Sequence, residues 1–129
     1  MNEKITVLIA DDNQEFSKTL ATYLGNETDM EIIGVAKDGI EAVEKIKELS
    51  PDVAIIDIIM PHLDGLGVLE KVNDLEKTPI CIMLSAVGQD KITQKAIVFW
   101  NFFPFFNKLI YLFTFYIISN KNKYIKNAY

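Results

Sequence analysis

Between residues 5 and 97 the chain alternates short β-branched runs with stretches whose apolar positions recur every three or four residues, four times over. Each run is a candidate strand and each periodic stretch a candidate amphipathic helix. ITVLIA (5–10) reads as a buried strand, and Phe16, Leu20, Tyr23 and Leu24 then mark one face of a helix running to Gly25. MEIIGVA (30–36) is a second strand; after Asp38-Gly39, the positions Ile40, Val43, Ile46, Lys47 and Leu49 trace a helix that closes before Pro51. DVAIIDII (52–59) is apolar on both faces, as a central parallel strand must be. A helix from Leu66 to Leu75, a strand at PICIMLSA (79–86) and a helical stretch from Asp90 to Ile97 complete four βα units. This rhythm predicts an α/β fold built on a doubly wound parallel sheet.

After Ile97 the pattern breaks. Twelve of the 14 aromatic residues fall in the last 32 positions, and the chain closes on the polar, patternless NKNKYIKNAY. The expected organisation is therefore a domain over 1–97 and a divergent aromatic tail over 98–129. Three readings of the tail stand side by side. As a membrane span, the 22 residues of IVFWNFFPFFNKLIYLFTFYII (97–118) would reach about 33 Å, which is long enough. Pro104 inside such a helix costs about 3 kcal/mol, however, and Lys108 near its middle about 2.5 to 3.5 kcal/mol more. A cytoplasmic acidic front would also export Lys121, Lys123 and Lys126 against the positive-inside rule, so membrane association is not expected. As a surrogate fifth strand, LIYLFTFYII (109–118) has strong β propensity and could lie parallel beside the fourth. The third reading concerns origin: from Phe99 onward only Ala128 has a codon beginning with G, and Phe, Tyr, Ile, Asn and Lys dominate. A shifted or run-on frame in AT-rich DNA would produce that composition, and a Lys-Pro segment in another frame of the gene would confirm it. Aromatic surface on this scale is expected to promote aggregation or homodimer formation.

Charge narrows the partners. At 129 residues the chain is one domain in size, and residues 1–97 hold all 18 acids but only nine of 13 lysines, a local balance of −9. There is no arginine, so direct nucleic-acid binding is not expected. Cys81 is the one cysteine, which excludes an internal disulfide and fits a reducing compartment. MNEKITVLIADDN lacks the basic start and long apolar run of a secretory leader, so the expected location is cytoplasmic.

The candidate chemistry lies where strands end: Asp11 and Asp12 after ITVLIA, and Asp57 near the end of DVAIIDII. Open α/β sheets place their sites at those carboxyl ends. If the first and third strands are neighbours, three like charges converge, and hard oxygen donors with room for water suit Mg²⁺. Asp11-Asp12 has a second reading, as an N-cap pair for the following helix. Asp57 has a weaker one, because an unpaired acid in an apolar strand is costly.

LIADDN, IIDIIMPHLDG and MLSA at this spacing resemble the response-regulator receiver domain, the phosphoacceptor module of bacterial two-component signalling. PHLDGLGVLEK and SAVGQDKITQKAI resemble the receiver of the sporulation master regulator of endospore-forming bacteria, the stage 0 sporulation protein A type. The resemblance covers about residues 3–97 and implies a flavodoxin-like (CheY-like) fold of strand order 2-1-3-4, with the fifth position empty or filled by 109–118. It implies Asp57 as phosphoacceptor, taking a phosphoryl group from a phosphohistidine on a phosphotransferase or histidine kinase. It implies Asp12, Asp57 and the Ile59 carbonyl as Mg²⁺ ligands, with Asp11 nearby or acting through water; Ca²⁺ is another candidate cation. Ser85 would be the switch hydroxyl, and Pro61 and Gly65 loop-shaping positions. His62 reads as a solvated loop residue and Cys81 as a small packed side chain.

The family's fifth strand ending in Lys-Pro is not legible, and Lys108, which no proline follows, does not inherit the role of its lysine. Impaired switching is the expectation, in a chain too short to include a DNA-binding effector domain. Two rivals remain: a pseudo-receiver that only binds partners, and a haloacid-dehalogenase-like phosphatase, which wants an Asp where this chain has Ile59. The reading favours a signalling module, not an enzyme.

Overall fold

The computed structural model describes residues 3–87 and 94–99, with side chains as far as Leu84. In chain order the elements are β1 (Ile5–Ala10), α1 (Gln14–Gly25), β2 (Met30–Ala36), α2 (Gly39–Leu49), β3 (Val53–Asp57), α3 (Gly65–Val72), β4 (Ile80–Val87) and β5 (Gln94–Phe99). They form one sheet of order β2-β1-β3-β4-β5 whose first four strands are parallel. This is the expected flavodoxin-like arrangement.

Each helix starts on a side chain that accepts from the backbone three residues ahead. Asn13 takes the Phe16 N–H, Asp38 that of Glu41 and Asp64 that of Gly67, at 3.1, 2.8 and 2.7 Å. The α2 helix stops at Ser50, in the left-handed region at φ 46°, just before Pro51.

Alternation along the strands sorts the core into two layers. Val7, Ile9, Val53, Ile55, Ile82 and Leu84 meet Phe16, Leu20 and Leu24 of α1. Leu8, Ala10, Ala54, Ile56, Cys81 and Met83 meet α2 and α3. Both faces are covered, which is why β1 and β3 read as unbroken apolar runs.

The fifth strand departs from expectation. Of the helical stretch expected over Asp90–Ile97, the described part is extended instead: Gln94–Phe99 pairs antiparallel with β4, from Val87 against Gln94 to Ile82 against Phe99. Six residues separate the strands, whereas a parallel return needs a crossover of about a dozen or more, so only the antiparallel return closes. Pairing the open edge of β4 outweighs the weak helical period of this segment. The sheet's fifth position is thus taken by β5, and residues 109–118 lie outside the described residues. Among the described residues no helix is long and apolar enough to cross a membrane.

Candidate functional site

Because β1 and β3 are hydrogen-bonded neighbours with Ala10 opposite Ile56, the residue after β1 arrives beside the last residue of β3. Asp11 and Asp57 are buried, at 1% and 6% exposure, and Asp12 faces solvent. One carboxylate oxygen from each lies within 4.8 Å of the others. Two unit charges at that separation repel by about 3 kcal/mol or more at an effective dielectric near 20. An all-oxygen donor set of this compactness fits a hard divalent cation.

The backbone sets this convergence. The Asp11 N–H donates to the Ala36 carbonyl at 3.0 Å, and its Oδ1 accepts from the Asn13 N–H at 2.9 Å. Asp57 Oδ1 accepts from the Ile59 N–H at 3.2 Å. The Ile58 N–H donates to Leu84 and the Ile58 carbonyl accepts from Gly65, at 2.9 and 2.8 Å. Gly65 has no room for a side chain, since a Cβ there would sit 2.5 Å from the Asp57 carbonyl oxygen and 2.9 Å from Ile58 Cα. The N-cap reading of Asp11-Asp12 is overturned, because Asn13 caps α1 and leaves both acids before the cap.

The sequence profile of the response regulator receiver domain matches residues 7–108. The chain belongs to that family. Among solved structures, this receiver is 33% identical to the signal receiver domain of a NarL response regulator from Mycobacterium tuberculosis, covering 67% of this chain and 70% of that one at a TM-score of 0.63. It is 28% identical to the response regulator domain of Thermotoga maritima CheB, covering 93% and 98% at 0.66. It is also 27% identical to a chain of the CheX–CheY–BeF3–Mg²⁺ complex from Borrelia burgdorferi, covering 90% of each at 0.64.

The remaining positions of the receiver fall as follows. Ser85 follows Leu84, which pairs with Asp57, so its backbone reaches the acid end of the sheet; its register partner on β5 is Ala96, and its side chain lies outside the described residues. The Ile59 side chain is 70% exposed. Pro61 is exposed and its carbonyl accepts from the Leu63 N–H.

His62 is more than a solvated loop residue: its Nδ1 lies 3.1 Å from Asp38 Oδ2, although the side chain is 65% exposed. The Glu41 N–H holds the Asp38 carboxyl below its usual range; partial burial opposes this, and His62 and Lys37 reinforce it. The two residues are 24 apart in sequence, so no local pattern signals the pair. Cys81 packs at 2% exposure, its thiol pushed up to about 11 by burial. A cavity of about 240 Å³ between α3 and β4, lined by Leu66, Leu69, Val72, Pro79 and Cys81 among others, includes none of the three acids.

Proposed function

We propose that this receiver accepts a phosphoryl group on Asp57 from a phosphohistidine on a phosphotransferase or histidine kinase. The observation that carries the reading is the meeting of Asp11, Asp12 and Asp57 at the carboxyl ends of β1 and β3. A carboxylate oxygen of Asp57 attacks phosphorus to form the acyl phosphate. The P–N bond to the donor imidazole breaks, and its electron pair stays on the ring nitrogen. Asp12, Asp57 and the Ile59 carbonyl would hold Mg²⁺, with Asp11 beside them or acting through water, and Ca²⁺ as a competitor. Such an ion, when bound, offsets charge on the transferring group. Ser85 is the switch hydroxyl, and Pro61 and Gly65 shape the loop that follows the acceptor. The module acts in the cytoplasm as a signalling relay and not as an enzyme.

The finer reading is a receiver of the sporulation-regulator type, supported by PHLDGLGVLEK and SAVGQDKITQKAI. The break in composition supports a unit over 1–97 followed by the divergent tail 98–129, with β5 carrying the sheet two residues further, to Phe99. Switching is impaired. Supporting this, the chain has no Lys-Pro pair, and β5 runs antiparallel, so its carboxyl end lies beside Ile82 and not beside Leu84, the partner of Asp57.

Incubating the full chain with acetyl phosphate and Mg²⁺ and weighing it intact tests the reading. A stable phosphate adduct that Asp57→Asn abolishes is the expected result. Rapid turnover would indicate a phosphatase, and no adduct would leave a partner-binding pseudo-receiver.

A further inference from the structure

The connection from β3 to α3 reverses at Pro61, His62 and Leu63, where the Leu63 N–H donates to the Pro61 carbonyl at 2.8 Å and His62 has φ 68°. A three-residue turn with positive φ at a non-glycine centre is rare and strained, so surrounding contacts must hold it. Two sets do. Asp38 uses one carboxylate oxygen to cap α2 through the Glu41 N–H and turns the other toward His62 Nδ1, at 2.8 and 3.1 Å. Leu63 is clasped between glycines: a Cβ on Gly39 would collide with the Leu63 carbonyl, and one on Gly67 would lie 2.5 Å from Leu63 Cδ1. The same connection carries Ile59, whose N–H donates to Asp57.

We infer that His62 is a positioning residue, which holds the strained turn against α2 through Asp38 and so sets the main chain at Ile59 beside Asp57. The inference rests on the reading of Asp57 and Ile59 as parts of a cation site. If backbone conformation alone mattered, glycine would serve best at φ 68°. The ring is largely exposed, so it adds little to the core, and what it contributes is the bond to Asp38.

The full chain is titrated with Mg²⁺ while the Ile59 amide resonance is followed, and acetyl phosphate labelling is timed at rising Mg²⁺. His62→Gly relaxes the backbone and removes the donor; Mg²⁺ affinity should fall about tenfold, while the labelling rate at saturating Mg²⁺ and the melting temperature stay near wild type. His62→Asn tolerates positive φ and carries an N–H donor at the same position along the side chain, so it should restore affinity. Asp38→Ser keeps the cap of α2 but loses the oxygen that meets His62. It should lose as much affinity as His62→Gly, and the double variant should lose no more. Wild-type affinity in His62→Gly, or additive losses in the double variant, would overturn the role of His62. A wild-type chain that neither shifts with Mg²⁺ nor takes the label would instead overturn the phosphoacceptor reading, and this inference with it.

Discussion

The two ends of β3 each present an aspartate, and the molecule treats them in opposite ways. At the amino end, Asp52 Oδ2 accepts from both the backbone N–H and the hydroxyl of Thr6, each at 2.9 Å, while Oδ1 meets Lys77 Nζ at 3.1 Å. The Asp52 N–H returns a bond to Thr6 Oγ1 at 2.9 Å, so the strand starts of β1 and β3 are stitched together. At the carboxyl end, Asp57 meets two further acids within 4.8 Å. One end spends its charge on adhesion, and the other concentrates like charge where a cation or a phosphoryl group could use it. Native stability is a small difference between large terms, so a crowded acidic cluster is tolerable only in a fold held firmly elsewhere.

Exchanging the roles of the two ends gives the largest expected effect. Asp57→Asn should abolish acetyl phosphate labelling while leaving the melting temperature unchanged or raised, because it removes the proposed nucleophile and one of three crowded charges. A label that persists would move the acceptor elsewhere. Next, Asp12→Ala should remove the magnetic-resonance shifts that millimolar Mg²⁺ produces around Asp57; shifts that survive would place the cation off these acids. Gly65→Ala comes third. Its Cβ would meet backbone at 2.5 Å, so unfolding in urea should show a loss of about 2 to 3 kcal/mol, together with slower labelling.

Asp52→Asn should do the reverse of Asp57→Asn, keeping the label and losing stability. The Asp52 side chain is 43% exposed, so solvent screening trims the expected loss to about 1 kcal/mol in urea unfolding. The smallest effect is in pH. Burial would raise the Asp52 carboxyl, but the Thr6 N–H, Lys77 and the Thr6 hydroxyl outweigh it and hold the group below the ordinary 3.8. A folded value below the unfolded one means that its stabilisation is present above the ordinary value and is lost as pH falls through the folded value. The stability gap between wild type and Asp52→Asn should therefore close in acid below that range, and a gap that stays constant would detach Asp52 from the linkage.

The first four strands and three helices were readable because each rests on local information. ITVLIA and VAIID are apolar on both faces, α1 and α2 carry their core positions at helical spacing, and Asp38-Gly39 precedes a helix, whereas the third helix, expected over 66–75, starts at Gly65 on the Asp64 cap and ends at Val72. The three acids were readable too, since strand ends in a parallel sheet are where such groups converge. The alternative reading of Asp11-Asp12 as the cap pair of α1 fell one step short, because Asn13 and the acids before it are all competent caps and only the turn around Asp11 decides among them.

By itself the pattern of residues determined the first four strand segments and the acids at their ends, because periodicity and residue type act over a few positions, whereas the order 2-1-3-4 followed only from the family resemblance. Tertiary structure alone decided the rest. QKAIVF became an antiparallel strand because six residues after β4 cannot carry a crossover and an unpaired edge lay beside it. His62 found Asp38 across 24 residues because a strained turn and two close-packed glycines brought their loops together. Both outcomes turn on which groups the fold makes neighbours, and no local pattern encodes that distance.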